Sequence, residues 1–159
     1  TAKSSFATYN FKNKFIILKG NNQSIESRKF RLLSKNFISF DDINKIANSE
    51  GDVKLFLSGP ISITAKSINA NFDKINNNLI TAIAEGNVKI KTKSETIKSY
   101  SAKYDSDSDI ISLKGNVIIK RDNGVLTGEK GYMNLKTRKS KIVSGKSKRV
   151  KGIFKPANK

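Results

Sequence analysis

A motif recurs five times along the sequence: a small or apolar residue, any residue, a large apolar residue, then Asp or Asn, with a Gly further on. The copies are Ala7-x-Tyr9-Asn10 with Gly20, Ile38-x-Phe40-Asp41 with Gly51, Ala70-x-Phe72-Asp73 with Gly86, Ala102-x-Tyr104-Asp105 with Gly115, and Gly131-x-Met133-Asn134 with Gly145. The large apolar positions follow one another at intervals of 29 to 32 residues. Self-similarity at that period predicts stacked supersecondary units.

The chemistry of one copy explains its spacing. Ile68-Asn69-Ala70-Asn71-Phe72 and Tyr100-Ser101-Ala102-Lys103-Tyr104 alternate apolar with polar residues, the pattern of a strand with one wet face. Each strand runs into a stretch rich in Asx and Ser, residues 73–78 or 105–109, whose side chains bond nearby backbone and favour turns. A second strand follows, Leu79 to Ala84 or Ile110 to Leu113. Glu85-Gly86-Asn87 and Lys114-Gly115-Asn116 then supply a second turn, or a bulge in which Gly takes a positive φ. The third strand is Val88 to Lys91 or Val117 to Lys120. About three strands per repeat give roughly fifteen short antiparallel strands in all.

Helix has little support. No segment sustains an apolar period of 3.6, and Asn, Ser, Ile, Val and Thr stand where a helix favours Ala, Leu and Glu. Around Glu26 to Leu33 a helical turn competes with strand, and Phe30-Arg31-Leu32 reads as strand. The two prolines, Pro60 and Pro156, mark a strand entrance and the region near the C-terminus, and no linker divides the chain. One all-β domain over 1–159 is therefore expected, a jelly roll, sandwich or solenoid.

Composition removes most catalytic chemistry. With no Cys and no His, the chain has no thiolate nucleophile, disulfide framework, imidazole base or commonest transition-metal ligand. We expect neither an enzyme nor a metal or other cofactor. No apolar run reaches the roughly 18 to 20 residues of a helical membrane span. The chain opens at Thr1 without a signal-type apolar stretch, which suits a processed protein. Basic residues outnumber acidic ones 31 to 13, a net +18, and residues 136–159 hold ten Lys or Arg and no Asp or Glu. Such an excess suits an anionic partner: nucleic acid, an anionic membrane or a phosphorylated headgroup. Solubility and protection of strand edges account for the same lysines.

Several motifs fail on inspection. Asp105-Ser106-Asp107-Ser108-Asp109 opens like a calcium loop, but its sixth and twelfth positions are Ile110 and Asn116 instead of Gly and Glu. A solvated turn is the better reading. Asn22-Gln23-Ser24 matches a glycosylation sequon that chance often supplies. Basic residues among Tyr and Phe could serve a nucleic-acid-binding sheet. Yet Phe40, Phe72 and Tyr104 hold fixed repeat positions, which favours core packing over base stacking, and no nucleic acid is expected as partner.

The order and spacing of these motifs carry a resemblance. Gly-Asn-Val recurs at 86–88 and 115–117, and Gly124 to Lys130, Met133 to Thr137 and Arg149 to Pro156 follow, with Asp41 to Val53 upstream. Over about residues 36–156 the chain resembles the LptA/OstA family of lipopolysaccharide-transport proteins. That resemblance implies a twisted, open β-jelly roll whose two sheets form a V around a lipid-holding interior. It implies a periplasmic, non-enzymatic carrier that stacks head to tail into a bridge between LptC-like and LptD-like proteins. The soluble part of LptC and the N-terminal domain of LptD share the fold, and an LptC-like role is the alternative within the pathway. A nucleic-acid-binding β-domain is the alternative from another class.

A carrier of this kind needs a continuous apolar trough, since each buried methylene is worth about 0.8 kcal/mol. By alternation, the inward positions expected to bind lipid are Ile63, Phe72, Val88, Ile90, Tyr104, Val117 and Ile119. The resemblance adds most to Tyr104 and Ile90. A dry core without ligand is the competing reading of the same residues. The partner implied is lipopolysaccharide, held through its lipid A part.

Overall fold

A computed structural model of the chain describes residues 1–26, 30–57, 60–143 and 149–154. Gly145, Lys155 and Pro156 of the motifs above lie outside the described residues. The strands are β1 (Ala2–Lys3), β2 (Phe6–Asn10), β3 (Phe15–Lys19), β4 (Gln23–Glu26), β5 (Phe30–Ser34), β6 (Phe37–Asp41), β7 (Ile46–Leu57), β8 (Ile61–Phe72), β9 (Leu79–Lys91), β10 (Glu95–Asp105), β11 (Ile110–Arg121), β12 (Gly124–Asn134), β13 (Lys139–Val143) and β14 (Lys151–Phe154). Every pairing is antiparallel, and all fourteen strands share one open, twisted sheet. The all-β jelly roll read from the sequence is the fold observed. Among the described residues there is no helix, and the ambiguous Glu26 to Leu33 stretch is strand on both sides of residues 27–29.

The five Asp or Asn positions of the repeat build five turns of one kind. Asn10, Asp41 and Asp73 each accept, through Oδ1, the backbone N–H groups two and three residues on. Asp105 accepts from the Ser108 N–H, and Asn134 from the Thr137 N–H. Four residues after each Asx, the chain takes a left-handed conformation at Lys14, Lys45, Asn77, Asp109 and Arg138, with φ between 49° and 58°. Local side-chain bonding thus closes every hairpin on this side of the molecule. The stretch 105–109 is the solvated turn expected, and among the described residues no group of three or more acidic side chains could hold a metal ion.

The glycines resolve the choice between turn and bulge in favour of bulges. Gly86 and Asn87 both have positive φ, 75° and 53°, as do Gly115 and Asn116, 79° and 48°. The register shifts beside them, yet pairing resumes on the far side. The two strands expected on either side of Gly86 are therefore one, Leu79–Lys91. Six strands, β7 to β12, run 11 to 13 residues each, so the strand number is near the expected fifteen but these strands are not short. Close approach gives glycine a second reason to be there. A Cβ on Gly86 would stand 2.7 Å from the Lys66 side chain, and one on Gly115 would stand 2.8 Å from Tyr100 Cβ.

These bulges divide the sheet into two wings. On wing 1 the order is β14, then one half each of β12, β11, β10, β9, β8 and β7, then β5, β4 and β1. On wing 2 the other halves continue from β13 to β6, β3 and β2. Side chains of both wings meet in one core, with Val53, Ile63, Val88, Ile90, Ile97, Val117 and Ile119 from wing 1 and Ile68, Ala84, Ala102, Ile111, Leu113 and Met133 from wing 2. Towards the C-terminal end the hairpin ends of wing 1 meet the β12–β13 end of wing 2, Arg121 bonding Ser140, as the lips of a mouth.

Candidate functional site

Strand register fixes which side chains line the interior. Along wing 1 one inward row reads Ile25, Leu32, Leu55, Ile63, Ile90, Ile97, Ile119, Leu126. Branched aliphatic side chains fill this row across six long strands, and Ile90, Ile97 and Ile119 are fully buried. On wing 2 the inward row nearest the turns reads Tyr9, Ile16, Phe40, Ala47, Ala70, Ala82, Tyr104, Ile111, Met133, Ser140. Its middle is three alanines between aromatic rings. Phe40, Ala47, Ala70, Ala82 and Tyr104 are only half-buried although they point inward. Small side chains here leave an apolar shelf just inside the mouth.

The seven positions expected to bind lipid separate into two groups. Ile63, Val88, Ile90, Val117 and Ile119 lie in the dry core, with Val117, Ile90 and Ile119 having no accessible surface at all. Phe72 and Tyr104 are half-buried beside the shelf. Phe72 packs edge-on against Phe40, with ring centroids 6.0 Å apart, and stands outside the central core cluster. Tyr104 rests on that core and donates its hydroxyl to Asp109 Oδ1 at 2.9 Å. Burial, reinforced by the Asp109 carboxylate, pushes the Tyr104 phenol up to about 12. It stays protonated, a ring with one apolar face and a polar tip tied to the turn.

Sequence reading missed the alanines of the shelf and a polar clasp across the mouth. Glu95, at the start of β10, is almost fully buried, and its Oε2 accepts from Arg121 Nε at 2.9 Å and from the Ser140 hydroxyl at 2.7 Å. Arg121 also donates from Nη2 to the Ser140 carbonyl and hydroxyl, at 2.9 and 2.7 Å. Glu95 and Arg121 belong to wing 1 and Ser140 to wing 2, so the clasp ties the lips together near the C-terminal end. Beside the clasp, Ile61 of wing 1 lines a cavity of about 250 Å³ with Met133 and Arg138 of wing 2. Each side chain of the clasp is ordinary in isolation, and only the register brings the three together.

Comparison with known proteins gives the lineage of this open β-jelly roll. The family model described as LptA/(LptD N-terminal domain) LPS transport protein matches residues 31–139. The chain belongs to this family. Among solved structures, LptH from Pseudomonas aeruginosa, the LptA homologous periplasmic component of the lipopolysaccharide transport device, shares the fold. The superposition has a TM-score of 0.69 at 15% identity, covering 80% of this chain and 95% of LptH. No curated protein sequence matches the chain. The LptA-family fold places the shelf, the core and the two sheet edges in a lipopolysaccharide transport protein.

Proposed function

We propose that this chain is a periplasmic, non-enzymatic carrier of lipopolysaccharide that holds acyl chains between its wings as one domain spanning 1–159. The observation that carries the reading is the half-buried shelf of Phe40, Ala47, Ala70, Ala82 and Tyr104 inside the mouth of an LptA-family jelly roll. Phe72 and Tyr104 make the first contacts. Ile63, Val88, Ile90, Val117 and Ile119 form the floor, which acyl chains reach as the wings part. Transfer of this kind needs burial of methylenes and no bond-making chemistry.

Both ends of the sheet suit passage from one molecule to the next. Among the described strands, β1 and β2 at one end and β13 and β14 at the other are paired on one side only. The ends carry exposed apolar side chains, Phe6 and Phe11 at one and Ile153 and Phe154 at the other. Unlike edges joined head to tail make a contact that need not close, and strand addition continues the interior from copy to copy. LptC-like and LptD-like jelly rolls are partners for the two terminal edges.

A photo-crosslinking residue tests the site. Placed at Ala82 or Tyr104, it is expected to capture lipopolysaccharide, while the same residue at Lys103, next to Tyr104 on the outward face of the sheet, is not. Equal capture at Lys103, or capture there alone, refutes the interior site.

A further inference from the structure

The outer surfaces of the two wings differ in a way that the lipid site does not use. On wing 1, register aligns Lys54, Thr64, Lys89, Lys98, Ile118, Thr127 and Lys151 in one outward row. Two residues further along the strands, Phe56, Ser62, Lys91, Thr96, Lys120 and Val125 form a second. Acidic side chains on the described part of this wing from β7 to β12 and β14 are confined to Asp52 and Glu129 on the line of the bulges, where Asp52 pairs with Lys35, and to Glu95, which is buried in the clasp. Lys89 and Lys98 stand directly opposite each other, an arrangement that costs stability in a sheet. Wing 2 is mixed: its outward lysines Lys114 and Lys130 share a row with Glu50 and Glu85.

We propose that the outer face of wing 1 is a docking surface for an anionic membrane leaflet. Charge complementarity is the first argument, since the two rows carry lysines and no acidic residue, and such a field attracts a negative surface. Layout is the second. At about 4.8 Å per strand the face spans roughly 24 Å from β7 to β12, and the two rows stand roughly 7 Å apart. A lattice in two dimensions suits a plane of headgroups, whereas a linear polyanion needs a single track. The third is side-chain type. The two rows contain lysines and no arginine across β7 to β12, so they offer flexible point charges instead of the bidentate forks favoured for specific phosphate or base contacts. Exposed Tyr100, 66% accessible, and the more sheltered Phe56 and Ile118 lie among the lysines, as apolar groups do at a headgroup boundary. Apart from Lys151 on β14, the lysines of the face lie on β7, β9, β10 and β11, away from the terminal strands, so leaflet docking and end-to-end joining draw on largely different residues.

The test is co-sedimentation with vesicles of phosphatidylglycerol in phosphatidylcholine, against phosphatidylcholine alone, without lipid A. Replacing Lys54, Lys89, Lys98 and Lys120 by Gln should weaken binding to the anionic vesicles about tenfold or more, and raised salt should weaken the unaltered protein likewise. The same four-charge loss on wing 2, at Lys103, Lys114, Lys130 and Lys141, should cost less than about twofold. Acetylation of the unaltered protein supplies a check independent of any variant, with Lys89 and Lys98 protected by vesicles and Lys103 and Lys114 not. Equal losses from the two sets, absence of binding to anionic vesicles, or tighter binding to single-stranded DNA or duplex than to vesicles overturns the proposal. Since no lipid A is present, these outcomes leave the crosslinking test of the interior site independent.

Discussion

The two wings are built from the same six long strands, on opposite sides of the same bulges, yet their inward faces do different things. Wing 1 presents a row of Leu and Ile, with Ile90, Ile97 and Ile119 sealed from solvent. Wing 2 presents Ala47, Ala70 and Ala82 between Phe40 and Tyr104, half-buried. A sheet packed equally on both faces would be a sandwich with nothing to hold. Both wings feed the central core, but along these rows the middle of wing 1 is filled and sealed while the middle of wing 2 leaves apolar surface half-buried. The lesson is that side-chain size along one inward row, and not strand pairing, decides where the interior is sealed and where it is left half-open.

The contrast is broken if the two wings respond alike to substitution. Ile90→Ala removes buried methylenes from the filled wing and is expected to destabilise by about 2–5 kcal/mol in a urea titration, with Phe72, Tyr104 and the alanines at the mouth chemically unchanged. Ala82→Leu adds volume to the shelf, should cost about 1 kcal/mol or less because the site is half-open, and should sharply reduce lipopolysaccharide capture. A large stability loss from Ala82→Leu, or unimpaired capture, means that the shelf is ordinary core.

The clasp gives the next largest effect. Arg121→Ala leaves the Glu95 carboxylate buried without its cation, which is expected to cost about 3 kcal/mol. Because Glu95 and Arg121 meet Ser140 across the mouth, the loss should be accompanied by a larger increase in hydrogen exchange in β13 than in β6, at the other end of wing 2. Ser140→Ala is the milder form, removing the hydroxyl that joins Glu95 to the opposite lip. If β13 and β6 respond equally, the pair acts within wing 1 alone and the lips are held by packing.

Much of the fold was legible because its determinants are local. Asp73 bonds the N–H groups of Ile75 and Asn76, and Gly86 with Asn87 takes φ values that few residues favour, so turn and bulge are written in neighbouring residues. Whether Gly86 ended a strand or bent one was not local, since it depends on pairing that resumes between Val88 and Ser99. The same limit governs the site. Phe72 and Tyr104 stood out because they occupy the large position of the repeat. Ala47 and Ala82 are inconspicuous until register sets them side by side with Ala70. Glu95 is 26 residues from Arg121 and 45 from Ser140, beyond the reach of any periodic pattern.

The smallest effect concerns the turns at the tips of wing 2, and it divides them by residue type. Asp41 and Asp73 are held below the usual carboxylate value, first by the backbone N–H groups of Asn44 and Asn76, and Asp105 likewise by Ser108. A folded value below the unfolded one means that the stabilising contribution is fully present above the unfolded value, near 3.8, and is lost as pH falls through the lower folded value. Asn10 and Asn134 accept the same kind of bond with no proton to gain. In an NMR titration below about pH 4, the amides of Asn44, Asn76 and Ser108 are therefore expected to shift, while those of Asn13 and Thr137 stay in place. Asp73→Asn keeps the acceptor and should abolish the shift at Asn76 without unfolding its turn. The Asn13 and Thr137 amides serve as the internal reference: if they titrate in step with Asn76, the acid response belongs to the whole sheet and not to the Asp turns.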